Sequence, residues 1–249
     1  EEENRVKIID LTREINNQTQ VCPCDRTPVV EDYATTEKEG VNVKFLKMGT
    51  HTATHIDAPY HISKNGRTLN HFPADWFVGM GIVLDFSNKG EIYEITREDI
   101  MFYEKELRLA DFAILNTGWE NYYGTWDFFR HPYLSEDAAK ALTELGIRIV
   151  GTDGSSADAA FGFSTAKRLA DPSFSDILEN MERENVRNEA HAALLGGGCL
   201  IVEYLCNLNQ LPKGLAFYSF LPLNITESDG SPIRAVCMPE IETAKTKEK

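Results

Sequence analysis

The stretch MGTHTATHIDAPYHISKNG, residues 48–66, gathers four side chains of the kinds that bind metal ions: His51, His55, Asp57 and His61. These four fall within eleven positions, although the whole chain of 249 residues has only six histidines. Imidazole nitrogens and carboxylate oxygens are good ligands for zinc and manganese, whereas packing gives no reason to crowd them. A lone histidine would be an ordinary structural residue, but this density predicts a metal site.

The backbone around these side chains is predicted to bend sharply. Along a straight strand His51 and His55 would lie about 13 Å apart, which metal–ligand bonds of about 2.1 Å cannot bridge. A continuous helix is opposed by Pro59, which lacks an amide donor and restricts Ala58. We therefore expect a loop or tight bend after a half-buried strand over residues 41–48, VNVKFLKM, in which apolar and polar residues alternate.

Three further polar residues are candidates for the same site. Glu203 lies in the apolar run GCLIVEYLC, where a buried carboxylate needs a cation or hydrogen-bond donors. If that run forms an edge strand, Glu203 points to water instead. His191 lies in a predicted helix and could equally be a plain helix-surface residue. Asp153 follows a predicted strand, where it either lines a pocket or caps the next turn.

The segment HTATHIDAPYH, residues 51–61, resembles the signature of the metal-dependent cyclase family, His-x-Gly-Thr-His-x-Asp-x-Pro-x-His. That family includes bacterial kynurenine formamidases and isatin hydrolases. Ala53 stands where the family usually has glycine, and we expect this exchange to shift the bend only slightly. Four other segments resemble family segments in the same order, so the resemblance covers most of the chain: IIDLT, NTGW, HPYLSEDAAKALTELGIRIVGTD and EAHAALLGGGCLIVEYLCNL.

The resemblance implies a metal-dependent hydrolase with a swivelling β/β/α-like fold. One metal ion would be held by His51, His55 and Asp57, and a second by Asp57, His191 and Glu203. His61 would donate and accept protons, a role that suits an imidazole. The implied cofactor is one or two Zn²⁺ ions, with Mn²⁺ as the alternative. The implied reaction is hydrolysis of a non-peptide amide C–N bond, as in an arylformamidase of tryptophan catabolism.

The identity of the substrate stays open. The loop VCPCDRTP carries Cys22 and Cys24 where kynurenine formamidases have the tryptophan and glycine of a Trp-Pro-Gly-Asp loop, so a cyclic amide such as isatin fits as well. The aromatic-rich region that begins at Trp119 forms either a wall for a planar substrate or ordinary core. Trp119 and Asp153 are the candidate substrate-binding residues. Two other functions are open: a lyase or cyclase that uses the same ions, and a non-catalytic metal-binding module.

The remaining pattern predicts the fold class. Strands are expected at VKIIDL, VGMGIVLDF, FAILNT, IRIVGT, GCLIVEYL and LAFYSFLPL. Thr96 and Ser135 are candidate helix N-caps, Gly146 is a helix stop, and residues 174–198 are expected to form one or two helices. Strands mixed with helices indicate one α/β domain over residues 1–249 with a mixed central sheet. The polar tail 243–249 is expected to be disordered.

Composition excludes several classes of partner. The formal net charge of −14 repels polyphosphates, so nucleic acid is not an expected partner. No apolar run approaches the ~18 residues of a membrane span, so no membrane partner is expected. Five scattered cysteines make no disulfide framework, which favours the cytoplasm. We expect a small-molecule amide substrate and, from the resemblance, a homo-oligomer, either dimer or tetramer.

Overall fold

The architecture is a mixed β-sheet with short helices packed on one face. In a computed structural model of the chain, residues 6–23, 25–160 and 188–239 are described. The strands are β1 (Ile9–Asp10), β2 (Val29–Ala34), β3 (Val43–Lys47), β4 (His55–Asp57), β5 (Val78–Asp85), β6 (Glu94–Ile95), β7 (Phe112–Asn116), β8 (Tyr133–Leu134), β9 (Ile149–Thr152), β10 (Leu200–Glu203), β11 (Ala216–Ser219), β12 (Gly230–Pro232) and β13 (Val236–Met238). Nine of them form one sheet in the order β1-β13-β11-β5-β7-β9-β10-β4-β12.

The centre of this sheet is parallel and its flanks are antiparallel. Strands β5, β7, β9 and β10 run parallel, while β4 pairs antiparallel with both β10 and β12. The predicted α/β class with a mixed sheet is therefore confirmed. The apolar runs at 78–86, 112–117, 147–152, 198–205 and 215–223 each contain a strand, as expected, whereas the first predicted strand is reduced to β1.

Four α-helices are described: α1 (Arg97–Met101), α2 (Glu104–Leu107), α3 (Glu136–Glu144) and α4 (Glu189–Gly196). Thr96 caps α1 through a reciprocal pair of hydrogen bonds with Asp99, and the Ser135 hydroxyl accepts a hydrogen bond from the Ala138 amide at the start of α3. Gly146 adopts φ +84° just after α3. Both predicted caps and the predicted stop are confirmed. Six 3₁₀ turns connect the described elements: Pro59–His61, Leu69–His71, Ala74–Phe77, Trp119–Tyr122, Trp126–Arg130 and Leu208–Gln210.

Alternation along the central strands divides the core into two layers. In β7, Ala113 and Leu115 pack with the helices, whereas Phe112 and Ile114 pack on the opposite face of the sheet. The same alternation holds in β10, where Ile201 faces the helices. Glu203, two residues further along, therefore emerges on the helix-covered face. The sheet thus directs a carboxylate toward α4.

One expectation for the region around residues 41–61 is wrong. Strand β3 is not half-buried: all five of its residues are exposed, because β3 pairs with β2 in a separate two-stranded sheet. The expected bend follows β3, and the buried strand β4 (His55–Asp57) comes after it. The sequence pattern failed here because burial depends on what packs against a strand.

Some predictions lie outside the described residues: the helix over residues 174–187, any role of Cys24, and the tail 243–249. Within the described ranges, none of the helices combines the length and the apolar character needed to cross a membrane.

Candidate metal centre

The predicted bend lies just before β4. Residues 50–54 form turns and bends, and Ala53 adopts the left-handed conformation with φ 55°. As a result, the ring centroids of His51 and His55 lie 5.0 Å apart, whereas a straight strand would hold these residues about 13 Å apart. Strand β4 then alternates, so that Ile56 enters the apolar core while His55 and Asp57 share the other face. The chain reversal thus brings His51, His55 and Asp57 together.

Asp57 is the centre of the cluster. Its carboxylate is 1% exposed and lies among three imidazoles. His51 Nδ1 is 2.7 Å from Oδ1, His55 Nε2 is 3.3 Å from Oδ1, and His191 Nε2 is 3.6 Å from Oδ2. His191 reaches this point from α4, which packs over the same face of the sheet. It is 6% exposed and is not a plain helix-surface residue.

Glu203 completes the buried cluster. Strand β10 lies between β9 and β4, so it is not at the sheet edge, and Glu203 is 5% exposed opposite His55. Its Oε1 accepts a hydrogen bond from the Ala157 amide at 2.9 Å. Its other oxygen lies 3.5 Å from His55 Nε2, and His191 Nε2 is 3.4 Å from Oε1. Glu203 is therefore a buried carboxylate and not an edge-strand residue that points to water.

In His51, His55 and His191, the ring nitrogen that points away from Asp57 has its own partner. His55 Nδ1 lies 2.7 Å from the backbone carbonyl two residues earlier. His191 Nδ1 lies 2.7 Å from Asp158 Oδ2, and His51 Nε2 lies 2.8 Å from Asp229 Oδ2. The other nitrogen of each ring is then left to face Asp57. Such outer contacts fix the tautomer and orientation of histidines that bind metals.

The cluster is strongly negative and attracts positive charge. Burial alone lowers the pKa of His51, but Asp57 and Asp229 outweigh it and raise that pKa to about 11. Burial likewise lowers the pKa of His191, and Asp158 with Asp57 raises it to about 10. Burial alone would raise the pKa of Asp57, yet His51 and His55 hold it well below its usual range. The carboxylates of Asp57, Asp158 and Asp229 therefore stabilise positive charge at the histidines.

These side chains fit a divalent metal ion. Although His51 Nδ1 is 2.7 Å from Asp57 Oδ1, this buried oxygen accepts no hydrogen bond from the described residues. Such an orphaned oxygen is suited to a cation. Two compact sets, each with ligand atoms within 4.8 Å of one another, share Asp57: His51, Asp57 and His61, and His55, Asp57 and Glu203. The shared aspartate agrees with the expected bridge, whereas the pairing of the histidines differs from the expected one.

The cluster forms one side of a cavity of about 620 Å³. His51, His55, His61, His191 and Glu203 line it together with apolar residues that include Ile62, Phe129, Ala160 and Tyr204. His61 lies at this cavity with 32% of its side chain exposed, and its ring centroid lies 4.1 Å from that of His51. The structure thus places all six predicted metal and proton-transfer residues in one cluster, five of them at the cavity wall.

The two predicted substrate-binding residues lie elsewhere. Trp119 is not among the described residues that line this cavity; it borders a separate one, and its Nε1 donates a hydrogen bond to the Asp127 carbonyl. Asp153 is fully buried and accepts hydrogen bonds from Thr117 and from the Glu120 amide. Its contacts are those of a residue that holds the turn after β7.

Three carboxylates near the histidines were missed by sequence reasoning. Asp158 and Asp229 contact His191 and His51, and Asp25 lines the cavity, where burial raises its pKa. Asp229 stands before glycine in ESDGSP, which reads as a turn. Asp25 belongs to the loop VCPCDRTP, which carries Cys22 and Cys24. No local signal links Asp158 to a histidine 33 residues later.

The left-handed conformation of Ala53 yields a stability prediction. In this conformation a residue with a Cβ lowers the free energy of unfolding by about 1–2 kcal/mol. Burial of the alanine methyl raises it by about 0.8 kcal/mol. Ala53→Gly is therefore expected to leave the free energy of unfolding unchanged or raise it by up to about 1 kcal/mol. Ala58 is equally buried but extended, at φ −106°, so Ala58→Gly should lower that free energy by about 1.5 kcal/mol. Equal losses for both variants in urea denaturation would contradict the assigned strain.

Comparisons with known proteins agree with the fold and the signature. A family model described as putative cyclase matches residues 9–159. Kynurenine formamidase from Bacillus cereus is 30% identical over 235 residues, covering 93% of this chain and 97% of that protein. Isatin hydrolase A from Labrenzia aggregata, solved with benzyl benzoate bound, is 26% identical with a TM-score of 0.76, covering 94% of each chain.

A further solved structure, of a predicted metal-dependent hydrolase from Bacillus stearothermophilus, shares the fold with a TM-score of 0.67. It is 24% identical and covers 93% of this chain and 97% of its own. The family model covers more than half of the chain, and the similarity to kynurenine formamidase extends over nearly all of it. The chain belongs to the cyclase family.

Proposed function

We propose that this protein is a metal-dependent hydrolase that cleaves the C–N bond of a non-peptide amide. The observation that carries the proposal is the buried Asp57, faced by His51, His55 and His191, three histidines that line a cavity of about 620 Å³. The similarity to a kynurenine formamidase and to an isatin hydrolase supports the same reaction class.

The ligands in this proposal are those implied by the family signature. His51, His55 and Asp57 hold one ion, and Asp57, His191 and Glu203 hold a second. Nitrogen and oxygen ligands of this kind suit Zn²⁺, with Mn²⁺ as the alternative. A divalent ion at this position lowers the pKa of water to near neutrality and polarises an amide carbonyl.

His61 is the proposed proton carrier. Its Nδ1 lies 3.6 Å from Asp229 Oδ2, which leaves Nε2 as the nitrogen that exchanges a proton with the substrate. In hydrolysis the water oxygen bonds to the carbonyl carbon and the C–N bond breaks. His61 accepts the proton that water loses and passes it to the departing nitrogen.

The cavity favours a small aromatic amide. A volume of about 620 Å³ lies in the range of small-molecule sites, and Phe129 and Tyr204 are aromatic residues among those that line it. An arylformamide is the first candidate substrate. A cyclic aromatic amide is the second, because the chain shares 26% identity and its fold with an isatin hydrolase.

A substrate screen tests the proposal. Metal-reconstituted protein is incubated in H₂¹⁸O with N-formyl arylamines, isatin and small imides, and products are followed by mass spectrometry. We expect turnover of at least one aromatic amide with one ¹⁸O per product acid. Turnover without ¹⁸O would favour the lyase or cyclase alternative. A protein that binds metal but turns over nothing, and that His61→Ala leaves unchanged, would favour the non-catalytic module.

Self-association is part of the proposal. The two-stranded sheet of β2 and β3 carries exposed apolar side chains, among them Tyr33, Phe45 and Leu46. An isolated two-stranded sheet is marginal in water, so cover by a second copy would stabilise it. We propose a homodimer or tetramer. The cytoplasmic location and the single domain over residues 1–249 stay predictions.

A further inference from the structure

Asp229 lies next to the histidine cluster. It lies in the turn before β12, the strand that pairs with β4 on the side away from β10. Its backbone carbonyl accepts a hydrogen bond from the Ala58 amide at 2.8 Å, so a main-chain contact independent of the Asp229 side chain holds the turn next to Asp57. The side chain is 35% exposed and contributes no apolar packing to the core. Its carboxylate is thus free to act on neighbouring rings.

The carboxylate contacts three groups of the histidine segment. Oδ2 lies 2.8 Å from His51 Nε2 and 3.6 Å from His61 Nδ1. Oδ1 accepts a hydrogen bond from the Thr50 hydroxyl at 3.0 Å. One oxygen therefore faces both rings while the hydroxyl holds the other oxygen in place.

We propose that Asp229 is a positioning residue that orients His51 toward the metal and His61 toward the substrate. By accepting the proton of His51 Nε2, it leaves Nδ1 unprotonated on the side of Asp57, the form in which an imidazole binds a metal. By attracting His61 Nδ1, it leaves Nε2 for proton exchange. The first effect concerns metal binding alone, and only the second rests on the proposed function.

The two effects of Asp229 depend on different properties of its side chain. An asparagine at position 229 keeps an oxygen that accepts the His51 proton, but it has no charge. An alanine has neither the oxygen nor the charge. Orientation of His51 therefore survives Asp229→Asn and is lost in Asp229→Ala. Glu144, whose carboxylate pairs with Arg97 on the surface at 2.5 Å, offers matched controls in Glu144→Gln and Glu144→Ala.

The test measures zinc affinity by competition with a chromophoric chelator, with circular dichroism to verify folding. Asp229→Ala is expected to bind zinc about 10- to 100-fold more weakly than the parent protein. Asp229→Asn should stay within a few-fold of it, and both Glu144 variants should match it. Unchanged affinity in Asp229→Ala, or equal losses in the alanine and asparagine variants, would overturn the proposal.

A second measurement separates this proposal from the proposed function. If an amide substrate is found, Asp229→Ala at saturating zinc should lower kcat about 10-fold or more with little change in KM, because His61 is less well placed. If no amide is hydrolysed but the affinity pattern holds, the orienting role stands and the proposed function falls. If amides are hydrolysed and every variant binds zinc equally, the proposed function stands and the orienting role of Asp229 falls.

Discussion

Asp57→Ala is expected to remove bound metal and amide hydrolysis together. Asp57 is the one residue common to both compact ligand sets, and its buried carboxylate lies within 3.6 Å of three imidazoles. Its loss removes the shared anionic ligand and leaves the rings to repel one another. Elemental analysis should find less than one ion per chain, and activity should fall by more than the roughly 100-fold that loss of an outer partner costs.

Folding must be checked in this variant, because removal of one member of a buried ion pair costs roughly 3–5 kcal/mol. Asp57→Asn, which keeps the shape of the side chain, serves as the companion variant. Both should retain the circular dichroism of the parent protein below their melting temperatures. A folded Asp57→Ala protein with full metal content and full activity would rule out the shared ligand.

His61→Ala is expected to give the opposite pattern, with metal retained and turnover lost. His61 is the most exposed of the six clustered residues, with 32% of its side chain exposed, so its removal leaves the five proposed ligands in place. Loss of a general acid–base residue lowers kcat by about 10²- to 10⁴-fold. Elemental analysis and single-turnover kinetics on the same sample measure both quantities.

The same variant distinguishes two assignments of His61. The compact set formed by His51, Asp57 and His61 would also allow it to bind metal. If His61→Ala loses metal as Asp57→Ala does, His61 is a ligand and the proton carrier must be sought elsewhere. Asp25, which lines the same cavity, would then be the next residue to test.

Much of the site could be predicted because its chemistry is concentrated in one segment. Four side chains of the kinds that bind metal ions within residues 51–61 imply convergence, and the bend before β4 provides it. The apolar run around Glu203 left its burial open, and only the family resemblance predicted it, with His191, as a ligand. Strands such as β7 and β9 and the caps Thr96 and Ser135 followed from local patterns that tertiary packing did not override.

The rest depends on contacts between distant parts of the chain. Asp229 meets His51 across 178 positions, and only the pairing of β12 with β4 brings them together. The exposure of β3 follows from its pairing with β2 away from the main sheet. Trp119 turns toward a different cavity because a 3₁₀ turn carries its ring to the Asp127 carbonyl. No local pattern encodes these arrangements.

The most direct test is an anomalous difference map from crystals of zinc-reconstituted protein, with data collected on both sides of the zinc absorption edge. We predict one or two peaks within bonding distance of the Asp57 carboxylate, with His51 or His55 beside one and Glu203 beside the other. A map with no peak at Asp57, from protein that elemental analysis shows to carry zinc, would contradict the proposed centre.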